Sequence, residues 1–168
     1  MRWLIDGYNV IRRDPDLRAV EAQGLQAGRA ALLRLVAEVA GRSTDVFTVV
    51  FDGAPIPGAA APPGRLQVIF SRPPQRADDV LIRMARQHGN GAVVVTSDRA
   101  VQDAARRAGC AVLGATEFLA GLANRDEAAD GGEEVEEPDR TAPKRGNPRR
   151  SSKRARAAER ALKRLRPR

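Results

Sequence analysis

Histidine and cysteine are almost absent from this 168-residue chain, which holds one of each. One Cys excludes a disulfide framework and a Cys-based zinc finger. One His excludes chemistry that needs a pair of imidazoles. Aromatics are scarce at 4%, so Ala, Val and Leu must fill the core that a 42% hydrophobic share can supply. No uninterrupted apolar run approaches the ~20 residues of a membrane span. The opening MRWLIDGYNV lacks the basic-then-apolar pattern of a secretory signal. The expectation is a soluble, cytoplasmic chain with one domain of ordinary size and no membrane partner.

Charge is abundant and unevenly spread. The net charge is +8, with 29 Lys and Arg against 21 Asp and Glu. Residues 1–125 carry +4, residues 126–139 carry −8 with no base at all, and residues 140–168 carry +12. This pattern predicts a folded body over 1–125, a disordered acidic linker over 126–139 and a basic arm over 140–168 that binds a polyanion. Within the arm, SSKRARAAERALKRL at 151–165 can form a helix with Ala155, Ala158, Leu162 and Leu165 on one face. That stripe is thin, so the helix is expected to form against a partner.

The body alternates strands and helices. Trp3–Asp6, Val46–Phe51, Leu66–Phe70, Ala92–Val95 and Cys110–Leu113 are short apolar runs with the character of buried strands. Helical spacing covers 23–40, Ala77–His88, 99–108 and Thr116–Ala123, while APIPGAAAPPG at 54–64, which has no basic residue, can only be a loop. Continuous apolar strands separated by helices predict an α/β fold with a central parallel sheet.

Three of those strands end on or beside a carboxylate: Asp6, Asp52 and Asp98. Asp78-Asp79 stands where another helix begins. In an open parallel sheet, ligands bind beyond the carboxyl ends of the strands, so these acids are expected on one edge. Clustered carboxylates repel one another unless a cation sits among them, and Mg²⁺ or Mn²⁺ is suited to oxygen ligands. Each acid also has a plainer reading. Asp6-Gly7 and Asp52-Gly53 are good turn dipeptides, and Asp98, Asp78 or Asp79 can cap a helix. Asn9 is either a partner for a phosphate or metal-held water, or a turn residue. Tyr8 either stacks a base or packs. His88 and Cys110 read as a helix-end cation and a core residue.

The segments LIDGYNVI, VVFDG, RADDVLIRMA and VVVTSDR, in this order and spacing, resemble the NYN domains of the PIN-like nuclease superfamily, and their YacP-like branch in particular. The resemblance covers about residues 2–123, and the basic tail with KRGNP is similar to that branch as well. It implies a PIN-like, Rossmann-like parallel sheet with helices on both faces, and metal-dependent endoribonuclease activity with Mg²⁺ or Mn²⁺. It also implies RNA as partner, mRNA above all, with the ribosome as a further partner.

By match to the family motifs, Asp6, Asn9, Asp78 and Asp98 are the catalytic residues. Asp6, Asp78 and Asp98 are the expected metal ligands, with Asp79 and Asp52 as less direct candidates. RNA contacts are expected from Tyr8, Arg72, Arg76 and Arg99 near the site, and from Lys144, Arg145, Arg149, Arg150, Lys153 and Arg154 in the arm. Competing expectations are an RNA- or ribosome-binding adaptor that does not cleave, and a PIN-like toxin ribonuclease.

Overall fold

The computed structural model describes residues 1–54, 64–123 and 153–165. Five strands form one parallel sheet: β1 (Arg2–Asp6), β2 (Val46–Asp52), β3 (Leu66–Ser71), β4 (Ala92–Val95) and β5 (Ala111–Leu113). The order is β3-β2-β1-β4-β5, which makes β1 central. The winding direction reverses between β1 and β4, and ligands of open α/β sheets bind at such a switch point.

Seven α-helices surround the sheet among the described residues: α1 (Gly7–Arg13), α2 (Pro15–Ala22), α3 (Leu25–Gly41), α4 (Ala77–His88), α5 (Arg99–Arg107), α6 (Ala115–Ala123) and α7 (Lys153–Leu165). None is long and apolar enough to cross a membrane. Alternate strand residues face opposite sides, so each strand serves two cores. Trp3, Ile5, Phe47, Val49, Phe51, Val93 and Val95 pack with α1, α3, α6 and α7. Leu4, Val50, Ala92 and Val94 pack with Val80, Leu81 and Ala85 of α4 and Val101 and Ala105 of α5. Helices therefore cover both faces, as the apolar strand runs require.

Helices α1 and α2 fill residues 7–22, where the sequence reading assigned no helix and took Asp6-Gly7 as a turn dipeptide. Gly7 opens α1 directly after β1, because a Cβ there would sit 2.2 Å from the Phe51 ring and only Gly fits. Val10 and Ile11 then anchor the helix in the core. For α2 the signal was present in Asp14-Pro15: the Asp14 carboxylate accepts from the Asp16 and Leu17 N–H groups, and Pro occupies the first turn.

Helix α7 finds its partner within the chain. Ala161 and Leu165 are buried, Ala158 and Leu162 pack beside them, and the helix lies against β5 and α6. Its last turn is tied down by Arg164, whose Nε and Nη2 donate to Asp45 at 3.0 and 2.5 Å. The apolar face thus centres on Ala161 as well as on Ala158, Leu162 and Leu165. The expected linker, and Lys144, Arg145, Arg149 and Arg150 of the arm, lie outside the described residues, as do positions 55–63 of the expected loop. Lys153 and Arg154 open α7.

Candidate active site

The carboxyl ends of β1, β2 and β4 and the start of α4 bring Asp6, Asp52, Asp98 and Asp78 to one cleft of about 470 Å³. Tyr8, Asn9 and Arg12 of α1 and Leu25 of α3 line the same cleft. Asp6 is 8% exposed and caps α1: one oxygen accepts the Asn9 N–H at 3.2 Å, the other the Thr96 hydroxyl at 3.0 Å. Thr96 is fully buried at the end of β4, and its oxygen accepts the Asp98 N–H at 3.1 Å. Asn9 Oδ1 accepts the Ser97 N–H at 2.8 Å. These bonds stitch β1 and α1 to the β4–α5 turn across the switch point. They leave the Asn9 Nδ2 without a protein acceptor among the described residues.

Each remaining acid has a distinct setting. Asp98 caps α5 through the Val101 N–H at 3.0 Å. Asp52 accepts the Ser71 hydroxyl at 2.7 Å and the Ala77 N–H at 2.6 Å with the same oxygen, and so fixes the start of α4 against β2 and β3. Asp79 turns back to accept the Arg76 N–H at 2.9 Å in a capping arrangement, and it is not among the residues lining the cleft. Asp78 has no hydrogen-bond partner among the described residues. The helix thus sends its two adjacent acids in different directions, as a step of about 100° per residue requires.

The electrostatics follow from this crowding. Burial pushes the Asp6 carboxyl up to about 6. The Asn9 and Thr96 hydrogen bonds only partly oppose it, and the charges of Asp78 and Asp52 add to it. Asp78 is raised as well, by burial first and then by Asp98, Asp52 and Asp79, against a smaller pull from Arg76. Negative charge is therefore in excess, which is the condition a divalent cation relieves.

Among the described residues no three Asp, Glu, His or Cys side chains stand close enough to cage an ion by themselves. Mg²⁺ does not need such a cage, because it keeps several waters and is held by one or two carboxylates. An all-oxygen, surplus-negative, water-accessible cleft fits such an ion.

Arg72, Arg76 and Arg99 are exposed and do not line the cleft. Cys110 is buried and its thiol donates to the Ala85 carbonyl, as a core residue does. The sequence reading missed Arg12, Leu25 and Arg29. Arg29 is 8% exposed, lies 5.4, 5.6 and 5.2 Å from the rings of Tyr8, Phe51 and Phe70, and donates to the Tyr8 hydroxyl and the Asp52 and Ala54 carbonyls. It holds the end of β2 and Tyr8 together. Arg12 was missed because α1 is too short to show a helical period, whereas Leu25 and Arg29 lie on the helix read over 23–40 and only its packing beside α1 brings them to the site.

Fold and site together define a doubly wound α/β domain with a carboxylate-lined cleft at its switch point, in the manner of PIN-like domains. Over residues 3–166 the chain matches the family described as the YacP-like NYN domain, and it belongs to that family. The match extends through α7, well beyond the motifs that suggested it.

The chain is 31% identical over 100 residues to the protein YacP of Bacillus subtilis (strain 168), a stretch covering 56% of this chain and 59% of that protein. It thus matches about three-fifths of that relative's length. The crystal structure of Rae1 (YacP) from Bacillus subtilis is similar with a TM-score of 0.67 at 26% identity, over 77% of this chain and 78% of that one. The crystal structure of a mutant of the same Bacillus subtilis protein gives a TM-score of 0.64 at 27% identity, over 76% and 77%. NYN domains are nuclease-like, and RNA is the substrate class the family implies.

Proposed function

We propose that this chain is a divalent-metal-dependent endoribonuclease that hydrolyses phosphodiester bonds in RNA, with mRNA as substrate. The observation that carries the reading is the convergence of four carboxylates, from four separate segments, on one cleft in which Asp78 has no hydrogen-bond partner among the described residues. Membership of a nuclease-like family supports it.

In this reading Asp6, Asp78 and Asp98 hold Mg²⁺ or Mn²⁺, and Asp52 sets the helix that carries Asp78. When bound, the ion supplies Lewis acidity at the phosphodiester and lowers the pKa of water to a useful range. Thr96 and the Asn9 N–H keep Asp6 in one orientation. The Asn9 Nδ2 is free to donate to a phosphate oxygen or to the attacking water. Ribosome association through the basic residues of 140–154 belongs to the same reading, since a polybasic segment binds RNA surfaces electrostatically.

The test is cleavage of a mixed structured and single-stranded RNA pool in Mg²⁺, Mn²⁺ or EDTA, by wild type, Asp6→Asn and Asp78→Asn. Cuts that need metal and vanish in both variants are expected. Persistence of cutting in Asp78→Asn would sink the assignment. Absence of cutting by the wild type, on free RNA and on translating ribosomes alike, would favour a binding adaptor.

A further inference from the structure

The cleft lines up four acids, yet its substrate in the proposed reaction is a polyanion, so some cation on its wall must offset the repulsion. Arg12 is the only cationic side chain lining the cleft among the described residues. It is exposed and has no ion pair or hydrogen bond there. Among the described residues its one interaction is with Tyr8, four residues earlier on α1, where the guanidinium lies 5.7 Å from the ring centroid. A cation–π contact fixes the position of a guanidinium without using any of its five N–H donors. A forked donor held in place with all its hydrogen bonds unspent is suited to a phosphate.

Tyr8 is in turn immobilised. Its hydroxyl accepts from Arg29 Nε at 2.7 Å, and Phe51 packs against it edge-on at 5.3 Å. The ring face beneath Arg12 is therefore already occupied by Arg12. A base stacking there would have to displace the guanidinium.

We infer that Arg12 grips a backbone phosphate of the RNA strand in this cleft, and that Tyr8 serves as the platform for Arg12 and not as a base-stacking surface. The inference rests on the ribonuclease reading and adds a residue that the sequence motifs do not single out. Arg12 is a substrate contact, and Tyr8 and behind it Arg29 are positioning residues.

The experiment is equilibrium binding of a labelled single-stranded RNA 20-mer to the full chain in Mg²⁺, in an Asp78→Asn background that leaves the RNA uncut. Arg12→Ala should weaken binding about tenfold at low salt, the worth of one charge-assisted contact. It should also reduce the slope of log K against log salt by about 0.7. Arg12→Lys should recover part of the affinity and all of the slope. Arg13→Ala, the neighbouring exposed arginine on α1, should stay within about twofold of the parent.

Tyr8→Leu should lose about as much as Arg12→Ala, and the double variant no more than either, because the two act as one unit. Tyr8→Phe keeps the ring under Arg12 and guards against a folding artefact, so it should bind within about threefold of the parent. Equal losses in Arg12→Ala and Arg13→Ala would overturn the assignment, as would additive losses in the Tyr8–Arg12 pair. RNA binding that Arg12→Ala leaves untouched would overturn it too, while the ribonuclease reading stands. Failure of the parent to bind free RNA at any salt would overturn the Arg12 contact, and it would remove the ribonuclease reading as well only where wild type also cuts nothing on translating ribosomes.

Discussion

Asp6 and Asp45 are both buried carboxylates, at 8% and 1% exposure, and they sit at opposite ends of the neighbouring strands β1 and β2. Asp6 ends β1, whereas Asp45 directly precedes β2. Burial pushes both upward, but Asp6 ends at about 6 and Asp45 at about 2. The difference lies in their partners. Asp45 receives Arg164, the Trp3 indole N–H at 3.1 Å and the Met1 amino group at 3.0 Å, and these outweigh its desolvation. Asp6 receives one backbone N–H and one hydroxyl, and it faces other acids. Asp45 has every charge answered and belongs to the framework. Asp6 has its charge unanswered, which is how carboxylates are kept ready for a ligand.

The contrast is sharpest if each is made neutral in turn. Asp6→Asn should lower cleavage by about 10²–10⁴-fold, the range of a lost catalytic group, while the variant melts no earlier than wild type in EDTA. Melting well below wild type would place Asp6 in the framework after all. Asp45→Asn should do the reverse. It removes the charged acceptor shared by Arg164, the Trp3 indole and the Met1 amino group, so stability should fall by about 3 kcal/mol, read as a lower denaturant midpoint, while kcat of the folded protein holds.

Acid should reproduce a smaller version of the same loss. The folded Asp45 carboxyl lies at about 2, below its ordinary value of 3.8. Its contribution is therefore fully present above pH 4 and declines as pH falls through 2. The difference corresponds to about 2 kcal/mol, and urea midpoints measured from pH 5 to pH 2 should show it in wild type and lack it in Asp45→Asn. The smallest effect concerns α4. Asp79→Ala removes a cap worth about 1 kcal/mol and should leave cleavage within a few-fold of wild type, whereas Asp78→Asn abolishes it. Equal losses of cleavage would mean that both acids serve the metal.

The sheet was legible in the sequence because its strands are continuous apolar runs bounded by Gly, Pro and Asp. Their burial on both faces demanded the parallel arrangement that β1–β5 adopt. The acids were legible for a related reason, since each stands at the end of such a run or at the start of the helix beyond it. The short helices α1 and α2 were not, because seven or eight residues give the helical period too little length to declare itself. With α1 went Arg12, and the nearby Leu25 and Arg29 were missed along with it. Helix α7 was visible as a helix, but its destination was not. Nothing in a stripe of Ala and Leu says whether it meets RNA or the chain's own β5. Asp45, the residue that decides the matter, looks in sequence like any polar residue before a strand.

The Asp45–Arg164 pair also carries a schedule. Its members are 119 positions apart, whereas Asp45 and Trp3 are separated by 42. At about 5–20 residues per second, synthesis reaches Arg164 roughly two to eight seconds after the end of α6. For that interval the residues of the strands and the four acids have all been made, while Asp45 lacks its guanidinium and the surface of β5 and α6 lacks Ala161 and Leu165. Docking of α7 can therefore only follow the synthesis of every strand and of all four acids of the cleft.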